Sequence, residues 1–449
     1  MSNQSHELPR IRTLGYVEQY HLVRNFVGFD SCILVSAQYT ASDGARFSPR
    51  TLYPALRSLI EVHTPLGIRF EGDEANGLGH WVRLPSVDLS RIVEFSEMKT
   101  TSTNLECVLE AQFARGFATM TDLPLWRVLV LTDNTVVAAL HHAIADGLSG
   151  RVFHSQMLRA LQKGHADAED ASPIVPVPQT LAMIPPIEQG LNVRPSLMLA
   201  LSALYMLWTA FWLPGKSWTG TVCAKVPDIT SHVRIVKISA ADTQKLLVAC
   251  RAHKATLTSA AHVLLACVVS QLIARDTSAS KFQRIETLIA LSMRAQAGVG
   301  EDEITDCAAA IYPVTRVCPM FSWADAADVA KQLKAQWQAK EMIGMLGFLE
   351  GKLNNYFRGK LGKKRDLGYL ITNLGRWPAE EEKVDDARWT LANMVFAQCD
   401  VPVGAAFKCC IVGDPSGAVN IAFVRGDGID GEFMEQLISL FEEEVSRLL

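Results

Sequence analysis

The sequence lacks the short motifs that mark several common classes of enzyme and metal site. None of its ten cysteines forms a C-x-x-C pair, which excludes the usual spacing of zinc-ribbon and thioredoxin-type sites. A Walker loop and a dinucleotide-type glycine-rich turn are also absent, so the nucleotide-binding folds built on these loops are not predicted. There is no G-x-S-x-G sequence, and this excludes the nucleophile elbow of serine hydrolases.

Positive charge is scarce relative to what nucleic-acid binding requires. The chain carries 43 Lys and Arg against 47 Asp and Glu, a net charge of -4. Proteins that bind DNA or RNA usually present a basic face, so no nucleic-acid partner is predicted. Residues 1–12 contain no apolar run and do not resemble a secretory signal. We therefore expect a cytoplasmic monomer with reduced thiols. Peripheral contact with the endoplasmic reticulum or a lipid droplet is an open alternative.

The chain does contain enough apolar sequence for large cores. Of its 449 residues, 49% are hydrophobic, which suits two lobes of similar size. Strand-like and helix-like segments alternate in both halves, and this alternation predicts an α/β fold. The predicted boundaries are an N-terminal lobe at 1–170, a crossover linker rich in Ala, Asp and Pro at 171–230, and a C-terminal lobe at 231–449.

Local patterns predict individual elements. The apolar runs 126–131 and 135–141 flank a turn-like Thr-Asp-Asn sequence, which predicts a β-hairpin. Helical spacing of apolar residues predicts a helix that opens at 12–20 and one long helix over 323–345.

An uncharged, mostly apolar segment lies within the linker at 196–213, bracketed by Pro195 and Pro214. As a helix it would span about 27 Å, slightly less than a typical hydrocarbon core. Three interpretations stay open: a helix that packs between the lobes or lines an apolar acceptor channel, an interfacial membrane contact, and a membrane span. A span would place two halves of one active site on opposite sides of the bilayer, which argues against it.

The residues that indicate chemistry stand at the end of the second hairpin strand. His141 and His142 are followed at fixed offsets by Asp146 and Gly147. Side chains alternate along a strand, so His142 shares a face with Leu140 while His141 points the other way. One imidazole can then face a channel while the other packs inside. Glycine at position 147 is expected to permit a tight turn that brings Asp146 beneath the loop.

The paired histidines are open to two rival interpretations. Both could be satisfied core residues at a strand end, which is the commoner case for a lone histidine. A metal site is disfavoured because adjacent histidines on a strand diverge and no further histidine stands at ligand spacing. We therefore predict no metal and no bound cofactor. The remaining histidines of interest are expected to be structural: His21, His63, His80 and His262.

The segment 141–147 resembles the H-H-x-x-x-D-G motif of the chloramphenicol-acetyltransferase-like superfamily. That group includes peptide-synthetase condensation domains, plant BAHD acyltransferases and alcohol acetyltransferases. The resemblance is closest to the fungal alcohol acetyltransferase family, because further segments occur in the expected order. These segments are 12–20, 125–127, 256–258 with His262, 292–294, 364–365, 372–375 and 404–407. The D-F-G-W-G motif of the plant branch is absent.

The resemblance implies a fold and a set of roles. It implies two lobes with an active-site tunnel at their interface, and His142 as the general base. Asp146 would shape the motif loop through an ion pair, for which Arg294 is the candidate, and His141 and Gly147 would be structural.

The resemblance also implies a role for Thr372 and Asn373. Asn373 would lie across the channel from His142 and, with Thr372, would stabilise the oxyanion or the acyl donor. The family usually carries Ser-Asn at this place, and Thr372 retains the hydroxyl.

The function implied is transfer of an acyl group from acyl-CoA, in the first instance acetyl-CoA, to the hydroxyl of a hydrophobic alcohol or secondary metabolite. No covalent enzyme intermediate is expected. Two alternatives stay open. One is condensation or release chemistry on a carrier-protein-bound thioester, which would make a carrier protein a partner. The other is a non-catalytic apolar-ligand-binding protein of the same fold.

Overall fold

A computed structural model gives the structure of the chain. It describes residues 9–29, 31–98, 102–163, 171–197, 199, 201, 216–275, 282–377 and 388–449. The apolar segment 196–213 falls almost wholly outside the described residues, so its three interpretations stay predictions.

Strands and helices alternate through both halves of the chain, which confirms the predicted α/β class. The strands are β1 (Arg10–Thr13), β2 (Cys32–Ala41), β3 (Ile68–Asp73), β4 (Leu78–Arg83), β5 (Ser86–Asp88), β6 (Val93–Phe95), β7 (Trp126–Val130), β8 (Thr135–His141), β9 (Ile174–Pro176), β10 (Ser217–Trp218), β11 (His232–Ile238), β12 (Arg284–Ile285), β13 (Thr287–Ser292), β14 (Ala308–Ile311), β15 (Thr315–Arg316), β16 (Leu367–Asn373), β17 (Trp389–Gln398), β18 (Ala405–Gly413) and β19 (Val419–Arg425). The helices are α1 (Tyr16–Phe26), α2 (Pro49–Val62), α3 (Ser102–Arg115), α4 (Gly147–Gln162), α5 (Ile187–Gly190), α6 (Ala240–Ala252), α7 (Leu257–Arg275), α8 (Arg294–Ala297), α9 (Trp323–Ala335), α10 (Trp337–Leu346), α11 (Leu353–Arg358) and α12 (Gly431–Arg447).

Two large sheets organise the described ranges. The first has the strand order β17-β2-β8-β7-β6 and the second has the order β11-β19-β18-β16-β13-β14. The predicted hairpin is present as β7 and β8, which pair antiparallel from Trp126 opposite Leu140 to Val130 opposite Val136. Every residue of β8 is buried, because β8 lies in the middle of the first sheet with α4 on one of its faces.

One strand connects the two sheets, and the sheets share a core. β17 belongs to the C-terminal half of the chain but pairs antiparallel with β2, from Trp389 opposite Ala41 to Gln398 opposite Ile33. It also packs against β18 and β19 of the second sheet. The Asn420 side chain, on β19, donates to the Met394 carbonyl of β17 at 2.8 Å. The lobe boundaries predicted at residues 170 and 230 divide the chain by sequence. The first sheet, however, contains strands from both halves of the chain.

The predicted helix over 323–345 is two helices, α9 and α10. Gln336 between them has a φ of 52°, in the left-handed region that an α-helix cannot contain. The apolar spacing continues across this residue, so spacing alone could not reveal the break. The predicted helical opening at 12–20 is also partly wrong. Residues 10–13 pair as β1 with β4, and α1 begins at Tyr16.

Within the described residues, α7 is long and apolar enough to span a membrane, with a mean hydropathy of 1.8. However, 78% of this apolar stretch is buried inside the protein. It packs against α9, α12 and α6, and the buried side chains of the second lobe's core surround it. Since a helix that is apolar on all sides is also what a large core requires, its composition is explained by burial in the second lobe.

Candidate active site

The motif histidines stand where the central strand of the first sheet ends. His141 is the last residue of β8, opposite Cys32 of β2. His142 begins the turn that follows, and its backbone N–H donates to the Ser31 carbonyl at 2.7 Å. The neighbouring strand therefore fixes the backbone of both histidines.

The two imidazoles lie in different surroundings, as the alternation along the strand predicts. His141 is fully buried, and its Nδ1 accepts the Ala143 backbone N–H at 3.0 Å. Its ring meets the Phe117 ring edge-on at a centroid distance of 5.6 Å. Burial lowers the pKa of His141 to about 3, so this imidazole is neutral at neutral pH. The ring of His142 instead stacks on the ring of His21, 3.8 Å between centroids and 3° from parallel.

Asp146 and Arg294 form a buried ion pair. Arg294 Nη2 lies 2.7 Å from Asp146 Oδ1, and both side chains are 5% exposed. Asp146 also caps α4, because the same oxygen accepts the Ser149 backbone N–H at 2.8 Å. Its other oxygen accepts the Cys307 backbone N–H at 3.2 Å. The structure therefore brings together the two residues that the sequence analysis paired.

The same arginine holds a loop of the second half of the chain against the motif. Arg294 donates to the carbonyls of Glu303 and Thr305, at 2.7 and 3.0 Å. Ser149, in the first turn of α4, donates to the Thr305 carbonyl at 2.8 Å and accepts the Thr305 N–H at 3.1 Å. The loop 303–307 is thus fixed to the start of α4 on both sides of Asp306.

Gly147 is required by packing and not by an unusual turn. It is the first residue of α4, and its φ lies outside the left-handed region. A Cβ at this position would lie 2.5 Å from Leu374 Cδ2 and 3.0 Å from Phe396 Cζ. Contacts this short cannot be accommodated without movement of the neighbours. Glycine is therefore needed at position 147, but not for the tight turn that was expected. It is needed because the first turn of α4 packs against Leu374.

Asn373 ends β16 and faces a cavity, but its amide is already bonded. Its Oδ1 accepts the Gly375 N–H at 2.8 Å and its Nδ2 donates to Thr258 Oγ1 at 3.0 Å. Thr372, one residue earlier, is buried in the sheet. Leu374, one residue later, reaches Gly147 of the motif. The end of β16 therefore lies between the cavity and the motif.

The cavity beside Asn373 has a volume of about 450 Å³. Its wall is formed by the beginnings of α6 and α7, by Asn373, Gly375 and Arg376, and by the turn between β18 and β19. His142 is not among the residues that line it. The predicted position of Asn373 across a channel from His142 is therefore still a prediction, although Asn373 does face a cavity of a size that suits a ligand.

His142 itself is almost fully buried, with 8% of its side chain exposed. Its Nδ1 lies 3.2 Å from Asp306 Oδ2. Its Nε2 lies 3.5 Å from Gln398 Nε2, at the end of β17. The two ring nitrogens thus meet different groups, a carboxylate on one side and an amide on the other.

Comparison with known proteins supports the family resemblance that the motif indicates. A sequence profile of the alcohol acetyltransferase family matches residues 94–295, which contain both the motif and Arg294. "Probable alcohol acetyltransferase crmB" of Aspergillus fumigatus is 23% identical over 92% of this chain and 95% of its own length. The chain is an acyltransferase related to the alcohol acetyltransferases. The resemblance drawn from the sequence is confirmed.

Solved structures confirm the fold of this acyltransferase. The trichothecene 15-O-acetyltransferase TRI3 of Fusarium sporotrichioides superposes with a TM-score of 0.71 over 97% of this chain and 94% of its own, at 13% identity. The condensation domain of the monacolin K polyketide synthase MokA superposes with a TM-score of 0.63 over 98% of both chains, at 12% identity. Both comparisons place the chain in the two-lobed fold that the resemblance implied.

Two residues that contact His142 could not be identified from the sequence, Asp306 and His21. Asp306 lies 164 residues from His142, and His21 was expected to be structural. His21 Nε2 lies 3.5 Å from Asp306 Oδ2. No short-range spacing could have connected these segments, because the fold alone brings α1 and the loop 303–307 together.

Ligand atoms of His21, His142 and Asp306 lie within 4.8 Å of one another, a separation at which three such groups can hold a metal. An ion lies close to the plane of each imidazole that binds it. The two rings are stacked with planes 3° from parallel, and a single ion cannot lie in both planes. His142 is instead within hydrogen-bond distance of the carboxylate, and His21 Nε2 lies 3.5 Å from it. The donor set present in the described residues therefore does not fit a metal in this arrangement.

Proposed function

We propose that this acyltransferase moves an acyl group from acyl-CoA to the hydroxyl of a hydrophobic alcohol or secondary metabolite, with His142 as general base. The observation that carries the proposal is the placement of His142. It directly follows a buried strand, and its ring is fixed by a stacked neighbour and a carboxylate. A base held in this way matches the requirement for proton transfer from a hydroxyl, which does not ionise at neutral pH.

The proposed reaction is a direct transfer. His142 takes the hydroxyl proton as the oxygen attacks the thioester carbonyl. The tetrahedral oxyanion then collapses, the C–S bond breaks, and the imidazolium returns the proton to the leaving thiolate.

The surroundings of the base support a route without a covalent intermediate. The cysteine closest in sequence to Asp306 is Cys307, and burial raises the pKa of its thiol to about 12. A thiol in this state is a poor nucleophile. The hydroxyl of Ser149 is committed to Asp146, Arg294 and the Thr305 backbone. Neither group is suited to attack a thioester.

The cavity beside Asn373 supports the assignment of acyl-CoA as donor. Ala240, Thr243, Leu257 and Thr258 line it, and all four belong to the first turns of α6 and α7. The amino-terminal ends of helices favour anions, because their backbone N–H groups and dipoles point outward. Arg376 adds a positive charge to the same wall. We propose that the phosphates of CoA bind here, and that Asn373 contacts the donor close to the motif.

The donor is tested by product analysis with two kinds of thioester. Purified protein is incubated with hydrophobic alcohols and either acetyl-CoA or an acyl carrier-protein thioester, and ester mass and free thiol are measured. We expect ester only from acetyl-CoA, and a higher KM for acetyl-CoA in Arg376→Ala than in wild type. Arg358→Ala, in α11 and outside the residues that line the cavity, is the matched control. If ester forms only from the carrier-protein thioester, the donor is a carrier protein and not CoA.

A further inference from the structure

A carboxylate from a distant loop contacts the imidazole of His142. Asp306 Oδ2 lies 3.2 Å from His142 Nδ1, and only 1% of the Asp306 side chain is exposed. The other oxygen, Oδ1, accepts the Ala308 N–H at 3.0 Å. A buried carboxylate is costly unless its oxygens are hydrogen-bonded. His142 and Ala308 together meet that need.

The loop that carries Asp306 is fixed on both sides of it. Thr305 exchanges hydrogen bonds with the Ser149 side chain, and the Cys307 N–H donates to Asp146 Oδ2. The Cys307 carbonyl accepts the Met293 N–H at 2.9 Å. The Asp146–Arg294 ion pair thus has a second consequence, because it sets the position of Asp306 relative to His142.

We propose that Asp306 is the positioning carboxylate of the general base. It accepts the Nδ1–H of His142, which leaves the lone pair on Nε2, the nitrogen on the side of Gln398. This inference rests on the proposed function of His142. It adds that the carboxylate selects the tautomer of the base and stabilises the imidazolium that forms when the hydroxyl gives up its proton.

His21 completes the arrangement by covering the His142 ring beside the same carboxylate. Its Nε2 lies 3.5 Å from Asp306 Oδ2, and its ring covers one face of His142 at 3.8 Å. Burial holds the pKa of His21 well below its ordinary value, and the neighbouring His142 lowers it further. His21 therefore stays neutral, so it covers the base without opposing the charge that His142 acquires.

Several charged and titratable groups surround the pair of Asp306 and His142. Burial raises the pKa of Asp306, and His142 opposes that rise. The other titratable or charged groups that act on this cluster are His21 and Arg24 from α1, His141 from β8, Asp146 at the start of α4, Arg294 with Cys307, and Lys408 from β18. Of these, Asp306 is the anion in direct contact with the His142 ring.

The kinetic test compares Asp306→Asn with Asp302→Asn. The second variant makes the same change at an exposed residue four positions earlier in the sequence, which contacts Arg159 and not His142. We expect Asp306→Asn to lower kcat by about 10²- to 10⁴-fold with little change in KM, since the carboxylate acts on the base and not on substrate binding.

A spectroscopic test does not require activity. In protein labelled with ¹⁵N at histidine, ring nitrogen shifts identify the tautomer of His142, and its signals are assigned by their loss in His142→Gln. We expect wild type to carry the proton on Nδ1, and Asp306→Asn to contain a mixture. A proton on Nε2 in the folded wild type would overturn the inference, as would a wild-type kcat in folded Asp306→Asn. If wild type has the expected tautomer but transfers no acyl group, the proposed function fails and the positioning contact stands.

Discussion

The buried ion pair between Asp146 and Arg294 makes the sharpest prediction about stability. Arg294→Met keeps most of the volume of the side chain and removes its charge and its donors. It would leave Asp146 as an unpaired buried carboxylate and free the carbonyls of Glu303 and Thr305. Breaking a buried pair by removal of one partner costs about 3–5 kcal/mol. We expect a loss of that size in the free energy of unfolding.

The measurement is urea denaturation of Arg294→Met beside Arg91→Met. Arg91 forms a comparably close pair with Asp122, but these side chains are 47% and 70% exposed. An exposed pair of this kind contributes about 0–1 kcal/mol. If the free energy of unfolding falls by less than about 1 kcal/mol in both variants, Arg294 does not fix the motif loop as described.

Three further predictions concern packing, pH and thiols. Gly147→Ala should destabilise by about 1–3 kcal/mol in urea denaturation, because its Cβ would overlap Leu374, whereas Gly300→Ala, where the nearest atom is 3.4 Å away, should change little. Four buried histidines have their pKa lowered to about 3 or 4: His63, His141, His154 and His262. The unfolded chain binds protons below pH 6.5 that these groups in the folded chain do not, so the free energy of unfolding should fall as the pH falls from 6.5 to about 4; a flat profile would contradict this. A thiol reagent should label Cys107 and Cys318 fast in the native protein and the buried cysteines only after denaturation, and equal rates for all ten would refute the burial.

The hairpin and the motif could be predicted because their signals are local. Small and branched residues in 135–140 predict a buried strand, and the paired histidines mark its end. The Asp146–Arg294 pair, in contrast, was proposed from the family resemblance and is present in the structure at 2.7 Å. No pattern within either segment could have paired residues 148 positions apart.

The rest of the fold and of the candidate site depends on contacts between segments that are far apart in the sequence. β17 joins the first sheet because β2 offers it an edge, and nothing in its alternating sequence distinguishes that edge from the second sheet. Asp306 stands alone in its loop, and its importance comes only from the ring of His142 beside it. His21 lies on an amphipathic helix where a structural role was the ordinary expectation. These contacts are long-range properties of the fold.

The role proposed for His142 is that of the base in an acyl transfer. The most direct test measures ester formation from acetyl-CoA and a hydrophobic alcohol by wild type, His142→Ala, and His253→Ala as an exposed histidine outside the site. We expect His142→Ala to lose about 10²-fold or more of the activity, while His253→Ala keeps that of wild type. Equal activity in folded His142→Ala would show that His142 is not the base.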